Sequence, residues 1–380
     1  MVINSRSRSL AAIAGVVVAA GTVAVSVAAL PANAGSTGAV STAHSRPGHD
    51  GSHNRTDVVN LVADTPGKAS ITDPNLVNPW GLAAGPSTPL WVSDNGTSMS
   101  TLYQGATSPG KPVMKVPLNV KIPGGGAPTG QVFNPTGAFM LHSEGKAGPA
   151  AFIFAGEDGD LSAWNRTGDA TKAVLVAHTK HAVYKGLTMV TVGHRPFLLA
   201  ANFHRNRIDV FDQSFARVDV RNAFASAGIP HGYAPFNVAT LNGLVYVTYA
   251  QQDAKAKDDV PGPGHGFINV FSQSGRFLGP LVRGGVLDSP WGLAIAPHGF
   301  GQFAGKLLVG NFGDGHIHVV DQSRGRVLAT LQARRHQPVE IDGLWALLPG
   351  NGTAGGTSDV WFSAGPGDES HGLLGILRQH

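Results

Sequence analysis

The chain contains no cysteine, which removes disulfide frameworks, thiolate zinc sites and thiol nucleophiles from consideration. Any metal site would have to draw on oxygen or imidazole ligands. Charge is also scarce, at 14% of the 380 residues. The formal excess of +4 is partly local: without Arg6 and Arg8 of the amino-terminal segment, 26 bases face 24 acids. A balance that even argues against nucleic-acid binding. No window after residue 34 sustains a 3.6-residue apolar period, so helix is expected to be nearly absent. No later run reaches the roughly 20 apolar residues of a membrane-spanning helix. A P-loop, a nucleophile elbow and a His-Glu-x-x-His zinc motif are missing as well.

Glycine and proline are plentiful instead, at 51 and 25 residues. They suit an all-β protein with many tight turns, because glycine accepts positive φ and proline fixes φ. Residues 1–34 read as a secretory signal, removed on export to an extracytoplasmic or secreted location. Arg6 and Arg8 give the positive start, Leu10 to Leu30 is uncharged and apolar, and Ala32-Asn33-Ala34 supplies the cleavage site. The apolar run is longer than usual, which keeps an uncleaved anchor as the alternative. After cleavage no membrane span is left. Residues 35–56, with His44, His49 and His53, read as a disordered linker.

Residues 57–380 repeat. Each unit opens on a short turn signature: Pro79-Trp80-Gly81-Leu82, Pro128-Thr129-Gly130-Gln131, Tyr184-Lys185-Gly186-Leu187, Pro235-Phe236-Asn237-Val238, Pro290-Trp291-Gly292-Leu293 and Ile341-Asp342-Gly343-Leu344. Positions 81, 130, 186, 237, 292 and 343 give steps of 49, 56, 51, 55 and 51 residues. A period near fifty with several short strands in each is the mark of propeller blades. Alternating stretches such as Arg207-Ile208-Asp209-Val210-Phe211 supply the strand signal. The expected fold is a six-bladed β-propeller. Its last unit is one strand short, and Asp57–Val62 is expected to close the ring as the outer strand of the sixth blade.

The chain resembles a family of uncharacterised exported bacterial propellers, some members of which carry PEP-CTERM sorting tails. The resemblance rests on stretches such as Thr72-Asp73-Pro74-Asn75-Leu76-Val77-Asn78-Pro79-Trp80-Gly81-Leu82, Asp258-Asp259-Val260-Pro261-Gly262-Pro263-Gly264 and Ala364-Gly365-Pro366-Gly367-Asp368-Glu369-Ser370-His371-Gly372. It implies the propeller fold and export but no activity. Leu377-Arg378-Gln379-His380 is not a sorting tail, so surface anchoring by that route is not implied.

In a propeller the start of each inner strand and the hairpin after the second strand meet at one channel mouth. Trp80, Thr129, Lys185, Phe236, Trp291 and Asp342 are therefore expected there from the inner strands. Asp94, Glu157, Asn202 and Asn311 are expected from the hairpins. With Asp342 they form an oxygen-only ligand set suited to Ca²⁺ or another divalent cation. The Asp342-Gly343 step is similar to the one with which lactonase propellers of the senescence-marker family hold their ion. Turn chemistry alone also puts Asp and Asn at strand ends, so no cofactor is certain. Lys185 is expected to pair with Asp342 or Glu157, or otherwise to meet an anionic ligand or polarise a carbonyl. Of the two long loops, Gln251–His265 carries Asp253, Asp258, Asp259 and His265, and Gly365–His371 offers Asp368 and Glu369 as ligand contacts and His371 as the general-base candidate, so that His371 and Lys185 are the catalytic candidates. Two functions remain open: binding of a small molecule, glycan or protein at the mouth, and a metal-dependent, lactonase-like hydrolase or lyase.

Overall fold

The computed structural model describes residues 55–379, so residues 1–34, read above as a secretory signal, and all but the end of the linker expected over 35–56 lie outside it. Among these residues the only helical segments are three short 3-10 turns, Asn95–Thr97, Gly301–Phe303 and Arg334–His336. Six sheets succeed one another as the blades of a β-propeller, all antiparallel except that Ile71–Thr72 adds in parallel outside Thr56–Ala63 in the last. Blade 1 contains Pro79–Ala83, Leu90–Asp94, Met99–Gly105 and Val113–Lys121. Blade 2 contains Pro128–Phe133, Phe152–Gly156, Asp160–Trp164 and Val174–His178. An extra hairpin, Met140–Ser143 against Lys146–Pro149, is inserted after its first strand. Blade 3 contains Tyr184–Val192, Arg195–Asn202, Arg207–Phe211 and the very short Arg217–Val218. Blade 4 contains Tyr233–Leu241, Leu244–Gln251, Gly266–Ser272 and Phe277–Arg283. Blade 5 contains Pro290–Ile295, Leu307–Asn311, Ile317–Asp321 and Arg326–Thr330.

Blade 6 takes Leu344–Pro349, Val360–Ala364 and Leu373–Gln379 from the carboxyl end of the fold. Its fourth strand is Thr56–Ala63, paired antiparallel with Leu373–Gln379, with Val58 opposite Leu377 and Ala63 opposite Leu373. The ring is thus closed by the amino-terminal strand, as expected, through backbone hydrogen bonds.

Five of the six core clusters lie between two neighbouring blades, and the sixth joins the seam of blades 6 and 1 to the rings on the axis. Phe152 and Phe154 of blade 2 pack with Trp91 of blade 1, whereas Ile153, between them in sequence, packs with Leu187 and Leu198 of blade 3. Leu307 and Val309 likewise face blade 4, and Leu308 faces blade 6. Successive side chains of a strand point to opposite faces, and both faces of these strands are covered. Their sequences are therefore nearly continuous apolar runs, as in any sheet buried on both sides.

The glycine of the turn signature has a steric cause. A Cβ at Gly81 would strike the Thr129 carbonyl of blade 2, and one at Gly130 would strike the backbone of Leu187 in blade 3. Inner strands of adjacent blades approach too closely for a side chain there. Polar ties fasten the same seam: Gln131 Nε2 donates to Gly81 O at 2.6 Å, Thr129 Oγ1 to Tyr184 O at 2.8 Å and Asn237 Nδ2 to Trp291 O at 2.7 Å.

Closure is where the chain is most open to damage. Val62 is fully buried beside Leu374 and Ile376, and burying one such side chain is worth roughly 1.5–3 kcal/mol. Deleting residues 57–63 bares that apolar edge together with unpaired strand groups. The deletion is expected to abolish the cooperative melt and to give aggregates in size-exclusion chromatography. A monomeric variant with unchanged melting would contradict this closure.

Candidate functional site

Inner-strand side chains from five blades fill the axis. Trp80 of blade 1 stacks on Trp345 of blade 6 at 3.5 Å and meets Trp291 of blade 5 edge-on at 6.2 Å. Phe236 of blade 4 lies 5.9 Å from Trp345, and the blade 3 ammonium, Lys185 Nζ, sits 4.8 Å from the Trp80 ring centroid. Trp291 Nε1 donates to Lys185 O at 3.1 Å. Phe312 continues the pile from the other face of Trp345, at 4.0 Å, and is only partly buried. The axis is therefore an aromatic plug with a single ammonium set in it.

The sixth-blade member of this set is Trp345, and Asp342 is not part of it. Leu344 pairs with Ala364 just before a bulge, as Pro79 pairs with Asp94 in blade 1. Leu344-Trp345-Ala346-Leu347 is thus the sixth turn signature, disguised because alanine stands where four of the other five units have glycine. Asp342 lies exposed before the strand and accepts the Gly367 N–H at 2.9 Å.

The hairpin set is also displaced. Asp94 Oδ2 accepts the Thr101 N–H at 2.9 Å, Asn202 Nδ2 donates to Asp209 at 2.7 Å and Asn311 Nδ2 faces His318 Nε2 at 3.2 Å. All three turn into their own blade. Glu157 is different, because Pro128 pairs with Gly156 and Glu157 is the next residue along. Its counterpart in blade 1 is Asn95, in blade 3 Phe203 and in blade 5 Phe312. A slip of one residue in a strand sends the side chain to the opposite face. The proposed oxygen cage is therefore not assembled, and among the described residues no group of three or more His, Asp or Glu side chains is placed to hold a metal ion.

What the mouth does assemble is a polar network. Lys185 Nζ donates to Glu157 Oε1 at 2.6 Å and to Asp258 Oδ1 at 3.2 Å. Its side chain is 2% exposed and that of Glu157 14%, whereas Asp258 is 61% exposed, so Glu157 is the principal counter-ion. Asn95 Nδ2 reaches Glu157 Oε2 at 3.4 Å, and Asn78 Nδ2 donates to Asn95 at 3.3 Å and to Glu369 Oε2 at 2.6 Å. Trp345 Nε1 donates to Asn78 Oδ1 at 3.0 Å, which ties the rim to the plug. Of the side chains of the Gly365–His371 loop, only Glu369 joins this network. Asp368 is exposed, and the His371 ring faces Asp64 at 2.9 Å on an exposed part of the surface.

These carboxyls do not titrate alike. Burial opposes the charge on Glu157, but the Lys185 ammonium outweighs it and holds the carboxyl below its ordinary value. Burial likewise works against charge on Lys185, and Glu157 with Asp258 more than offsets it, so the ammonium is held above its usual range. Burial raises Glu369, aided by the negative charges of Glu157 and Asp259. Burial pushes Asp259 up to about 6, against the Ser289 hydroxyl and the Lys185 charge. Asn78, Asn95, Phe312 and Trp345 were missed in sequence. A count of one residue past each second-strand end would have found Asn95 and Phe312.

No family model matches the chain. It is 30% identical over 329 residues to "Uncharacterized protein L690" of Acanthamoeba polyphaga mimivirus, an alignment covering 83% of this chain and 84% of that protein. Among solved structures it is similar to a streptogramin B lyase, with a TM-score of 0.46 at 9% identity over 86% of this chain and 97% of that one. A putative gluconolactonase gives a TM-score of 0.41 at 17% identity over 67% and 83% of the two chains. Likeness at that level carries no argument about activity.

Asp259 gives a pH test with a definite sign. An acid whose folded pKa is raised binds its proton more tightly folded than unfolded, so it costs stability once ionised. That cost grows as pH climbs from its ordinary 3.8 to about 6. Asp259→Asn is therefore expected to raise the melting temperature at pH 7.5 by several degrees and to have little effect at pH 4. An equal change at both pH values would contradict the assignment.

Proposed function

The chain belongs to the same protein family as mimivirus protein L690, and from the chemistry of its mouth we propose that it is a binding propeller for a small organic cation. The observation that carries this reading is an imbalance of charge. Glu157, Asp258, Asp259 and Glu369 gather around one buried ammonium, that of Lys185. Lys257 adds a second positive charge near Glu157, and the acids still outnumber the bases. Glu157 is spent on Lys185, which also engages one oxygen of Asp258, and this leaves Asp259, Glu369 and the exposed remainder of Asp258 as the carboxylates a ligand would meet. The partly buried Phe312 ring, the outer end of the aromatic stack, offers the face on which a cation is attracted by the ring quadrupole. An amine bound there would neutralise the surplus and return the raised pKa of Glu369 and Asp259 toward ordinary values.

A catalytic reading has one observation in its favour. Glu157 is held ionised while Asp259 and Glu369 are pushed toward their protonated forms, and carboxyls driven apart in this way are the pattern of acid–base pairs. Lys185 is held in its ammonium form by the same carboxylates, so it supports neither a Schiff base nor general-base work. His371 faces Asp64 and does not contribute to such a pair. Binding accounts for the surplus charge and the aromatic face together, and it is the reading adopted.

Calorimetric titration with spermidine and choline, beside neutral glucose and anionic citrate, tests it. Saturable binding of a cation at pH 7.5 is expected, weakened about tenfold by Glu369→Gln, the loss of one charged contact of roughly 1.4 kcal/mol. Binding of glucose or citrate alone, or indifference of the cation to Glu369→Gln, would contradict the proposal.

A further inference from the structure

A second place on the molecule has the opposite charge. The fourth strand of blade 3, Arg217–Val218, is two residues long and pairs only with Val210 and Phe211. The fourth strands of the other five blades run to five residues or more. The edge of blade 3 at Arg207–Asp209 is therefore not covered by a fourth strand. A cleft of about 520 Å³ opens between that edge and Val176–Lys180 at the end of blade 2. The volume is within the range of small-molecule sites.

Its lining is cationic. Lys180 and His178 come from blade 2, and Arg205, Arg207 and Arg217 from blade 3, over a back wall that includes Phe211 and Phe215. The counter-charge is small and already committed. Asp209, 3% exposed, takes Arg207 Nε at 2.8 Å and Arg217 at 3.5 Å on one oxygen. Its other oxygen accepts Tyr184 Oη at 3.0 Å and Asn202 Nδ2 at 2.7 Å. Asp160 is engaged by the His178 ring at 2.6 Å. Four permanent cations thus line the cleft, and the carboxylate that holds two of them has both oxygens occupied. Asp209 acts as a buried anchor that orients two guanidinium groups, and a guanidinium bonded through one edge keeps further N–H donors for a second anion.

We propose that this cleft binds a sulfate or phosphate ester, its oxyanion held by Arg205, Arg207, Arg217 and Lys180 and its body lodged against the apolar wall. Planar guanidinium forks match the oxygens of such groups, and charge assistance makes these the stronger hydrogen bonds. The truncated strand, the anchor and three of the four permanent cations coincide in this one blade. The mouth is not involved, so the inference stands or falls independently of the cation-binding reading.

The test titrates the full chain at fixed ionic strength with inorganic sulfate, inorganic phosphate, glucose 6-sulfate and glucose 6-phosphate, with glucose as the neutral control. Saturable binding of an ester is expected, tighter than that of the matching inorganic ion, and none of glucose. Arg205 and Lys180 form no ion pair with Asp209, so Lys180→Ala/Arg205→Ala should fold normally and weaken the ester at least tenfold. Arg205→Lys should lose less. Arg334→Ala, on an exposed 3-10 turn after blade 5, should change nothing. Absence of saturable ester binding, an unchanged affinity in the double variant, or an equal loss in Arg334→Ala would overturn the proposal. Preference for inorganic phosphate or sulfate over both esters would overturn the ester assignment.

Discussion

The structure depends on how closely six inner strands approach one another around an axis. That approach leaves no room for a side chain at Gly81 or Gly130 and forces the preceding residue of each signature toward the centre. Trp80, Phe236, Trp291 and Trp345 fill the centre with rings, which bury well and need few polar partners. Lys185 stands at the same position in blade 3, and a buried ammonium has no such freedom: it must be paired or lose its charge. Glu157, supplied by the neighbouring blade 2, meets that demand at 2.6 Å. The rest of the mouth, from Asn95 through Asn78 to Glu369, is organised around this pair.

Much of the fold was legible because period is a robust signal. A repeat near fifty residues and runs such as Leu198-Leu199-Ala200 survive any error of one or two positions, and so does the closing strand. The site was only partly legible because it depends on phase. Asp94, Asn202 and Asn311 were read one residue too early, and in a strand one residue is the difference between the channel and the blade interior. Asp342 was chosen because Asp-Gly looked like the sixth Trp-Gly, whereas the register puts Trp345 on the axis. Lys185 was found as the lone base among the inner-strand starts, to be paired with Asp342 or Glu157, and its ammonium meets Glu157. Asp258 and Asp259 lie in a long loop, where no period tells which side chains turn inward.

Composition concealed a second feature. A chain with 28 bases and 24 acids looks electrostatically plain, yet the bases and acids are sorted in space. Carboxylates gather at the mouth, while Lys180, Arg205, Arg207 and Arg217 gather in the cleft between blades 2 and 3. Blade 3 contributes to both, through Lys185 on its inner strand and through an outer strand cut to two residues. A rigid ring allows such unlike chemistries to coexist, because each blade holds its own loops and edges independently of the others.

The central claim is that the Lys185–Glu157 pair holds the mouth together, and a double-mutant cycle on stability tests it most directly. Lys185→Met strands the buried Glu157 carboxylate, and breaking a buried pair typically costs about 3–5 kcal/mol. Glu157→Gln is expected to cost less, because Asp258 remains to face the ammonium. If the pair acts as a unit, the double variant will be more stable than the sum of the two single losses implies, with a coupling of about 1–3 kcal/mol. Strict additivity of the two losses in denaturant unfolding would contradict the claim.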